Sequence, residues 1–304
     1  MSKIIRIGTR DSELALWQAK TVQQKLKDLG YKSELVPVKS TGDLILDKPL
    51  YELGITGVFT KTLDIAMING QVDIAVHSMK DVPTALPKGI VEAAVLERAQ
   101  TEDILVHKNY TPNNKPATIA TGSLRRQAQW LNKYPEHKTV DLRGNVNTRM
   151  QKLADSNWQG AIFAAAGLKR IGLTPEETIS LDWMIPAPAQ GAMLVVAMEN
   201  DTFCKEALAK LNDNDTETCV HIERDFLRKL EGGCTAPIGA LATIEKDTIH
   251  FEGALFSLDG KQKIQVSKTC SVNESKNIGE TYAEELLAQG GKELMLEIKK
   301  QMNK

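Results

Sequence analysis

One apolar run ends in three residues that could do chemistry. In Val72-Asp73-Ile74-Ala75-Val76-His77-Ser78-Met79-Lys80-Asp81-Val82-Pro83 a strand-like stretch breaks off into Ser78, Lys80 and Asp81. A carboxylate beside an ammonium at a strand end makes Asp81 the first candidate for chemistry. In open α/β sheets, ligands gather outside the carboxyl ends of the strands, where short loops converge. The same pair would also serve as an ordinary solvated ion pair, so Asp81 is decided by what else is brought near it.

Cations recur at comparable places along the chain. Arg10 follows the run Lys3 to Ile7, Arg125 and Arg126 follow Ile119 to Thr121, Arg143 and Arg149 follow Thr139 to Leu142, and Arg170 follows Ala161 to Ala165. Two sheet edges facing each other across a cleft would gather these six arginines and Lys80 around one acid, Asp81. Arginine grips planar carboxylates bidentately, so such a cleft suits a polycarboxylate. Phosphate is less well served, because the chain has neither G-x-x-x-x-G-K-[ST] nor G-x-G-x-x-G between Gly8 and Ser12. Ser12 reads as a helix cap, and a helix start beside Arg10 offers donors to an anion; a plain cap explains it equally. Cys234 differs from Cys204, Cys219 and Cys270 in lying in a Gly-Gly loop rather than in a helical or strand pattern. It is either a reachable nucleophile or a simple free thiol. No C-x-x-C pair or nearby histidine is spaced to hold zinc, no metal site is expected, and no Cys-His dyad is evident.

The elements that must position these groups follow the pattern β-α-β-α-β over residues 3 to 78, which predicts a parallel sheet with right-handed crossovers. A long connection, 39 to 57, interrupts it. The same plan of strand, small-residue turn, serine cap, arginine and helix restarts at Ile119. Two crossings, at Glu97 to Thr101 and Pro186 to Gly191, make a hinged pair, with Ala192 to Met198 returning as a strand. Asp215 or Thr216 is expected to cap a helix reaching Leu230, and strands 238–244, 248–256 and 262–270 follow, the last two joined at Leu258-Asp259-Gly260. The predicted fold is α/β: two domains with mainly parallel sheets (1–97 with 192–212, and 101–186) and a small α+β domain (215–304) with a three-stranded antiparallel sheet. A chain of 304 residues, 42% hydrophobic and 25% charged, is long enough for three such units. Its net charge of -1 gives no general attraction for nucleic acid. No stretch has the length of a signal-peptide core or a membrane span, so a soluble cytoplasmic protein is expected, a monomer for want of an exposed apolar stripe.

Six motifs in order resemble the porphobilinogen deaminase (hydroxymethylbilane synthase) family: Thr9-Arg10-Asp11-Ser12 with Leu14 to Ala19; His77-Ser78-Met79-Lys80-Asp81-Val82-Pro83; Ser123-Leu124-Arg125-Arg126-Gln127; Leu142-Arg143-Gly144-Asn145-Val146 with Thr148-Arg149; Ala166-Gly167-Leu168-Lys169-Arg170; and Leu230-Glu231-Gly232-Gly233-Cys234. The resemblance spans nearly the whole chain. It implies two periplasmic-binding-protein-like domains and a third domain whose Cys234 holds a dipyrromethane cofactor through a thioether. It further implies that four porphobilinogen molecules are joined head to tail with loss of ammonia and released as hydroxymethylbilane, in porphyrin and heme biosynthesis. By the same resemblance Asp81 and Lys80 are catalytic. Ser78, Lys80, Asp81, Thr121, Ser123, Arg125, Arg126 and Arg149 contact the cofactor, and Arg10, Ser12, Phe59, Arg143, Arg170 and Gln190 contact the substrate. The chain departs from the family at Glu52 and Thr56, where many members carry lysines in a lid; Lys48 or Lys61 would have to compensate. The rival class is a noncatalytic binding protein for a small polycarboxylate or oxyanion, which the same hinged cleft would suit.

Overall fold

The computed structural model describes residues 3–39, 57, 59–113, 115–173, 175–230 and 236–302. Cys234, Lys48, Glu52 and Thr56 lie outside the described residues.

The first sheet is opened by β1 (Ile5–Thr9), whose Ile5 and Ile7 are fully buried. α1 (Glu13–Asp28) follows, with the Ser12 hydroxyl accepting from the Ala15 N–H at 3.4 Å. Its face of Ala15, Ala19, Val22 and Leu26 is buried, at the spacing of an amphipathic helix. β2 (Ser33–Pro37), α2 (Lys61–Ile68), β3 (Ile74–Ser78) and β4 (Ile90–Val95) continue the unit. The second sheet is built from β5 (Asp103–His107), β6 (Thr118–Ala120), α3 (Leu124–Lys133), β7 (Lys138–Val140), α4 (Val146–Asp155), β8 (Gly160–Ala164), α5 (Ala165–Arg170) and β9 (Thr178–Ser180). β10 (Met193–Met198) then returns to the first sheet.

The two sheets share one plan. The first has strand order β2-β1-β3-β10-β4 and the second β7-β6-β8-β5-β9. In each, three strands pair in parallel, and the fourth, β10 or β5, is antiparallel to both of its neighbours. The expected mainly parallel sheets are therefore present. Two strands that sequence did not mark, β5 and β9, complete the second sheet.

Beyond α6 (Thr202–Ala209) and α7 (Asn214–Lys229), β11 (Ile238–Glu245), β12 (Thr248–Phe256) and β13 (Lys263–Ser271) form the antiparallel sheet. α7, α8 (Ile278–Leu286) and α9 (Lys292–Met302) bury Phe226, Phe251, Leu286 and Ile298 against it in one apolar cluster. The cap of α7 is Asp213, whose carboxylate accepts from Thr216 N–H at 2.8 Å, and not Asp215 or Thr216. Asp213 precedes the first helical turn, where the free N–H groups lie, whereas the later two are already inside it. Among the described residues no helix is long and apolar enough to cross a membrane.

The crossings are pressed together and pinned by a buried carboxylate. Gly191 has φ +90°, and a Cβ there would sit 2.7 Å from the Ala99 carbonyl oxygen, so glycine is required. Glu223 of α7 is fully buried. It receives Arg98 through two guanidinium bonds of 2.7 and 3.0 Å, and the N–H groups of Ala189 (2.6 Å) and Ala242 (2.7 Å). One side chain thus ties both crossings to the third sheet. Removing one partner of a buried pair leaves the other uncompensated, so Glu223→Gln should cost about 3–5 kcal/mol of stability. Urea unfolding of the variant checks this, and a midpoint equal to that of the unaltered protein would contradict it.

Candidate active site

Asp81 owes its place to the residues on either side of it. β3 ends at Ser78, and Met79–Asp81 forms a single tight 3-10 turn. Met79 and Val82 are buried, and the Met79 N–H donates to the Ala192 carbonyl at 3.1 Å. Two apolar anchors flanking Lys80 and Asp81 leave these half-buried side chains at the cleft. Lys80 Nζ donates to Gln190 Oε1 at 3.1 Å. Burial, then Arg126 nearby, push the Lys80 pKa down to about 8, against the pull of Asp81 and Asp103.

A pocket beside the turn is lined by Arg10, Ser12, Gln18, Phe59, His77, Ser78 and Asp81. The Arg10 guanidinium lies 4.6 Å from the centre of the Phe59 ring, a cation–π contact that brings both to the pocket wall. Gln18 Nε2 donates to Ser78 Oγ at 2.9 Å, which fixes the hydroxyl's direction. His77 is buried, and burial followed by Arg10 pushes its pKa down to about 4, so its ring is neutral in ordinary buffers. A more open depression on the outer face of the third sheet, lined by Thr243, His250, Glu252 and Lys268, gathers no such convergence of cations.

The second sheet supplies the facing groups. Ser123 caps α3, accepting from Arg126 N–H at 3.5 Å, and Thr121 Oγ1 accepts from Ser123 N–H at 3.3 Å. Arg125 and Arg126 converge on an acid that sequence reading missed, Asp103, which is fully buried at the start of β5. Arg125 Nη1 donates to Asp103 Oδ2 at 2.8 Å; Arg126 donates to Oδ1 through Nε (3.1 Å) and Nη2 (2.8 Å). Burial alone would raise the Asp103 pKa, but the two guanidiniums and Lys80 hold it well below the usual carboxylate range. Asp81 is therefore not the one acid among these cations. Its only foretoken in the sequence is an aspartate heading the short apolar run Ile104-Leu105-Val106.

Gln190 is fully buried, and its amide joins the two units: Nε2 donates to Asp103 Oδ1 at 2.9 Å and to Thr101 O at 2.7 Å, while Oε1 receives Lys80. The side chain of Arg149, on α4, makes one hydrogen bond among the described residues, Nε to Gly144 O at 2.8 Å. Burial first, then the charges of Arg126, Arg143 and Arg10, push its pKa down to about 10, with Asp81 opposing. Arg10, Asp81, Arg126 and Arg143 are thus near enough to Arg149 for their charges to act on it. Arg143 is buried, which lowers its pKa. Arg170 lies apart from this convergence: Nη2 donates to Gly191 O at 2.6 Å at the crossing, and its guanidinium is 5.6 Å from the Trp17 ring centre.

Comparison with known proteins decides what this cleft belongs to. A family model described as "Porphobilinogen deaminase, dipyromethane cofactor binding domain" matches residues 5–206, and one described as "Porphobilinogen deaminase, C-terminal domain" matches residues 217–288. A porphobilinogen deaminase of Desulfitobacterium hafniense is 44% identical over 307 residues, covering 99% of both chains. Another, of Syntrophomonas wolfei, is 42% identical and covers 97% of this chain and 99% of its own. The chain belongs to the porphobilinogen deaminase family.

Among solved structures, a periplasmic substrate-binding protein of an ABC transporter from Coxiella burnetii covers 70% of this chain and 94% of its own at 16% identity and a TM-score of 0.45. The noncatalytic reading is not favoured beside full-length matches to porphobilinogen deaminases. The donor set fits the family's dipyrromethane cofactor, whose pyrroles each carry an acetate and a propionate. Both Arg149 Nη atoms are without a hydrogen bond among the described residues, and Arg125 Nε is buried without a partner, so guanidinium donors remain for carboxylates.

Asp103 makes the site acid-sensitive. A carboxyl whose folded pKa is depressed contributes stability in full above its unfolded value, and that stability drains away as pH falls below about 4 toward the folded value. Urea midpoints should fall between pH 6 and pH 3.5 (roughly the upper flank of that window), and Asp103→Asn should be less stable at pH 6 and show a smaller fall. An Asp103→Asn protein as stable as the unaltered one at pH 6 would contradict this.

Proposed function

We infer that this chain polymerises four porphobilinogen molecules head to tail, releases ammonia at each joining, and hydrolyses the assembled chain to hydroxymethylbilane in tetrapyrrole biosynthesis. The observation that carries this reading, beside membership of the family, is that the Lys80–Asp81 turn is joined through Gln190 to Asp103, on which Arg125 and Arg126 converge, with Arg149 near enough for the charges of Asp81 and Arg126 to act on it. A growing chain of acetate- and propionate-bearing pyrroles needs many cations to hold its carboxylates and one anion where positive charge develops.

In this reading the dipyrromethane, attached through a thioether to Cys234, supplies the free pyrrole α-carbon at which joining begins. The chain's own residues do the rest. The Asp81 carboxylate stabilises the cation that forms as ammonia leaves the substrate, and accepts the proton lost once the new bond is made. Lys80, held by Gln190, keeps a positive charge beside Asp81 and is available to a carboxylate. Arg149, with Arg125, Arg126, Ser78, Thr121 and Ser123, frames the cofactor's place. Arg10, Ser12, Phe59 and Arg143 frame the incoming pyrrole, with Arg170 and Gln190 supporting the crossing behind it. The domains assigned are 1–97 with 192–212, 101–186, and 215–304, and the chain is assigned as a cytoplasmic monomer acting on a small molecule, not on nucleic acid or a membrane. The near-zero net charge supports the last point.

Intact mass after denaturation tests the covalent assignment. Supplied with porphobilinogen, the unaltered protein should carry a two-pyrrole excess that Cys234→Ser lacks; no excess on either would sink the enzyme reading. Asp81→Asn is expected to lose turnover by about 10³-fold or more while keeping its circular dichroism spectrum. Retained turnover with an unchanged spectrum would remove Asp81 from the mechanism.

The Lys80 ammonium is present below about pH 8 and lost above it, so kcat should fall as pH rises through that value. Lys80→Arg keeps its charge to far higher pH and should move that alkaline limb upward, whatever it does to the maximal rate. An unmoved limb would show that another group sets it.

A further inference from the structure

Arg224 reaches from α7, under the third sheet, to the underside of the turn that bears Lys80 and Asp81. Its side chain is 6% exposed. Nη1 donates to the carbonyls of Met79 at 3.3 Å and Val82 at 3.0 Å, and Nη2 to that of Pro83 at 2.7 Å. These carbonyls flank Asp81 on both sides, and the donor comes from 141 to 145 residues further along the chain. A tight turn leaves carbonyls that its own N–H groups cannot reach, and where the turn is buried something else must satisfy them. The Val82 N–H already donates to the Met79 carbonyl at 3.1 Å, so the planar fork adds a second donor there and is the donor to the Val82 and Pro83 carbonyls, among the described residues.

Two neighbouring contacts hold this fork in register. Val220, one turn before Arg224 on α7, packs with Met79 and Val82 in the apolar cluster beneath the turn. Glu92 Oε1 lies 4.0 Å from Arg224 Nη2 and its other oxygen 2.8 Å from His221 Nε2, so the guanidinium has an anion beside it.

We propose that Arg224 is a positioning residue for the polymerisation: from the third domain it sets where the Asp81 carboxylate stands, without itself touching substrate. The proposal rests on the function inferred above. Its physical basis is that reacting groups misplaced by about 1 Å lose about 10²-fold in rate, and the turn has no other side-chain donor among the described residues to replace the fork. An ammonium in its place is a point donor that serves carbonyls without the fixed fork.

The test compares the cofactor-loaded protein with Arg224→Met and Arg224→Lys, loading being checked by intact mass and every assay run well below each variant's melting temperature. Arg224→Met should lose about 100-fold in kcat with KM changed less than about threefold, and Arg224→Lys should recover about tenfold of that loss. A merely structural role would lower the melting temperature and leave kcat of the folded fraction unchanged, which overturns the proposal, as does a loss carried by KM alone. Should Arg224→Met fail to fold, Arg224→Lys decides: kcat lowered about tenfold at unchanged KM supports the proposal, and full kcat overturns it. Absence of turnover by the unaltered protein would overturn the inferred function and this proposal together; full turnover by the folded Arg224 variants beside an active parent overturns this proposal alone.

Discussion

The ion cluster around Asp103 is the constraint that the rest of the site obeys. A cleft meant for several carboxylates must concentrate cations, and cations taken out of water repel one another and resist burial. Asp103, fully buried between Arg125 and Arg126, makes that concentration tolerable. Its remaining capacity goes to Gln190, whose other end carries Lys80, so the charge balance of the second sheet reaches the Lys80–Asp81 turn of the first through a single amide.

This arrangement divides the arginines by what they hold in the absence of ligand. Arg125 and Arg126 are turned mainly toward Asp103 and backbone carbonyls, and Arg170 toward the crossing, whereas Arg149 uses only its Nε among the described residues. The first kind shapes the field and the wall, and the second is the kind that a ligand carboxylate can claim. A cleft made only of the second kind would have to bear their mutual repulsion at every empty stage. Structural anions below the surface remove that cost without presenting a negative face to the substrate.

Much of the scaffold was legible in the sequence because it is encoded locally. Ser12 and Ser123 announce their helices through capping, the Ser78 to Asp81 break announces a strand tip, and the hairpin of β12 and β13 follows from its turn residues. What escaped is non-local. β5 and β9 are short and carry little periodicity, and they become strands because β8 offers an open edge in space. Nothing local to Asp103 foretells the two arginines more than twenty residues away that fold over it, and nothing local to Glu223 foretells Arg98, 125 residues distant, that meets it. Nothing near Gln190 in the sequence shows that its amide spans Lys80, Thr101 and Asp103.

The insertion of β10 between β3 and β4 has a further consequence during synthesis. A nascent chain leaves the ribosome with β1 to β4 in hand but without the strand that must lie in their middle. About a hundred residues separate Val95 from Met193, so translation at about 5–20 residues per second keeps that slot vacant for roughly 5 to 20 seconds. Over that interval the second sheet, contiguous in sequence, can finish folding. The first meanwhile exposes two apolar strand edges that chaperones, or another unfinished copy, can reach first.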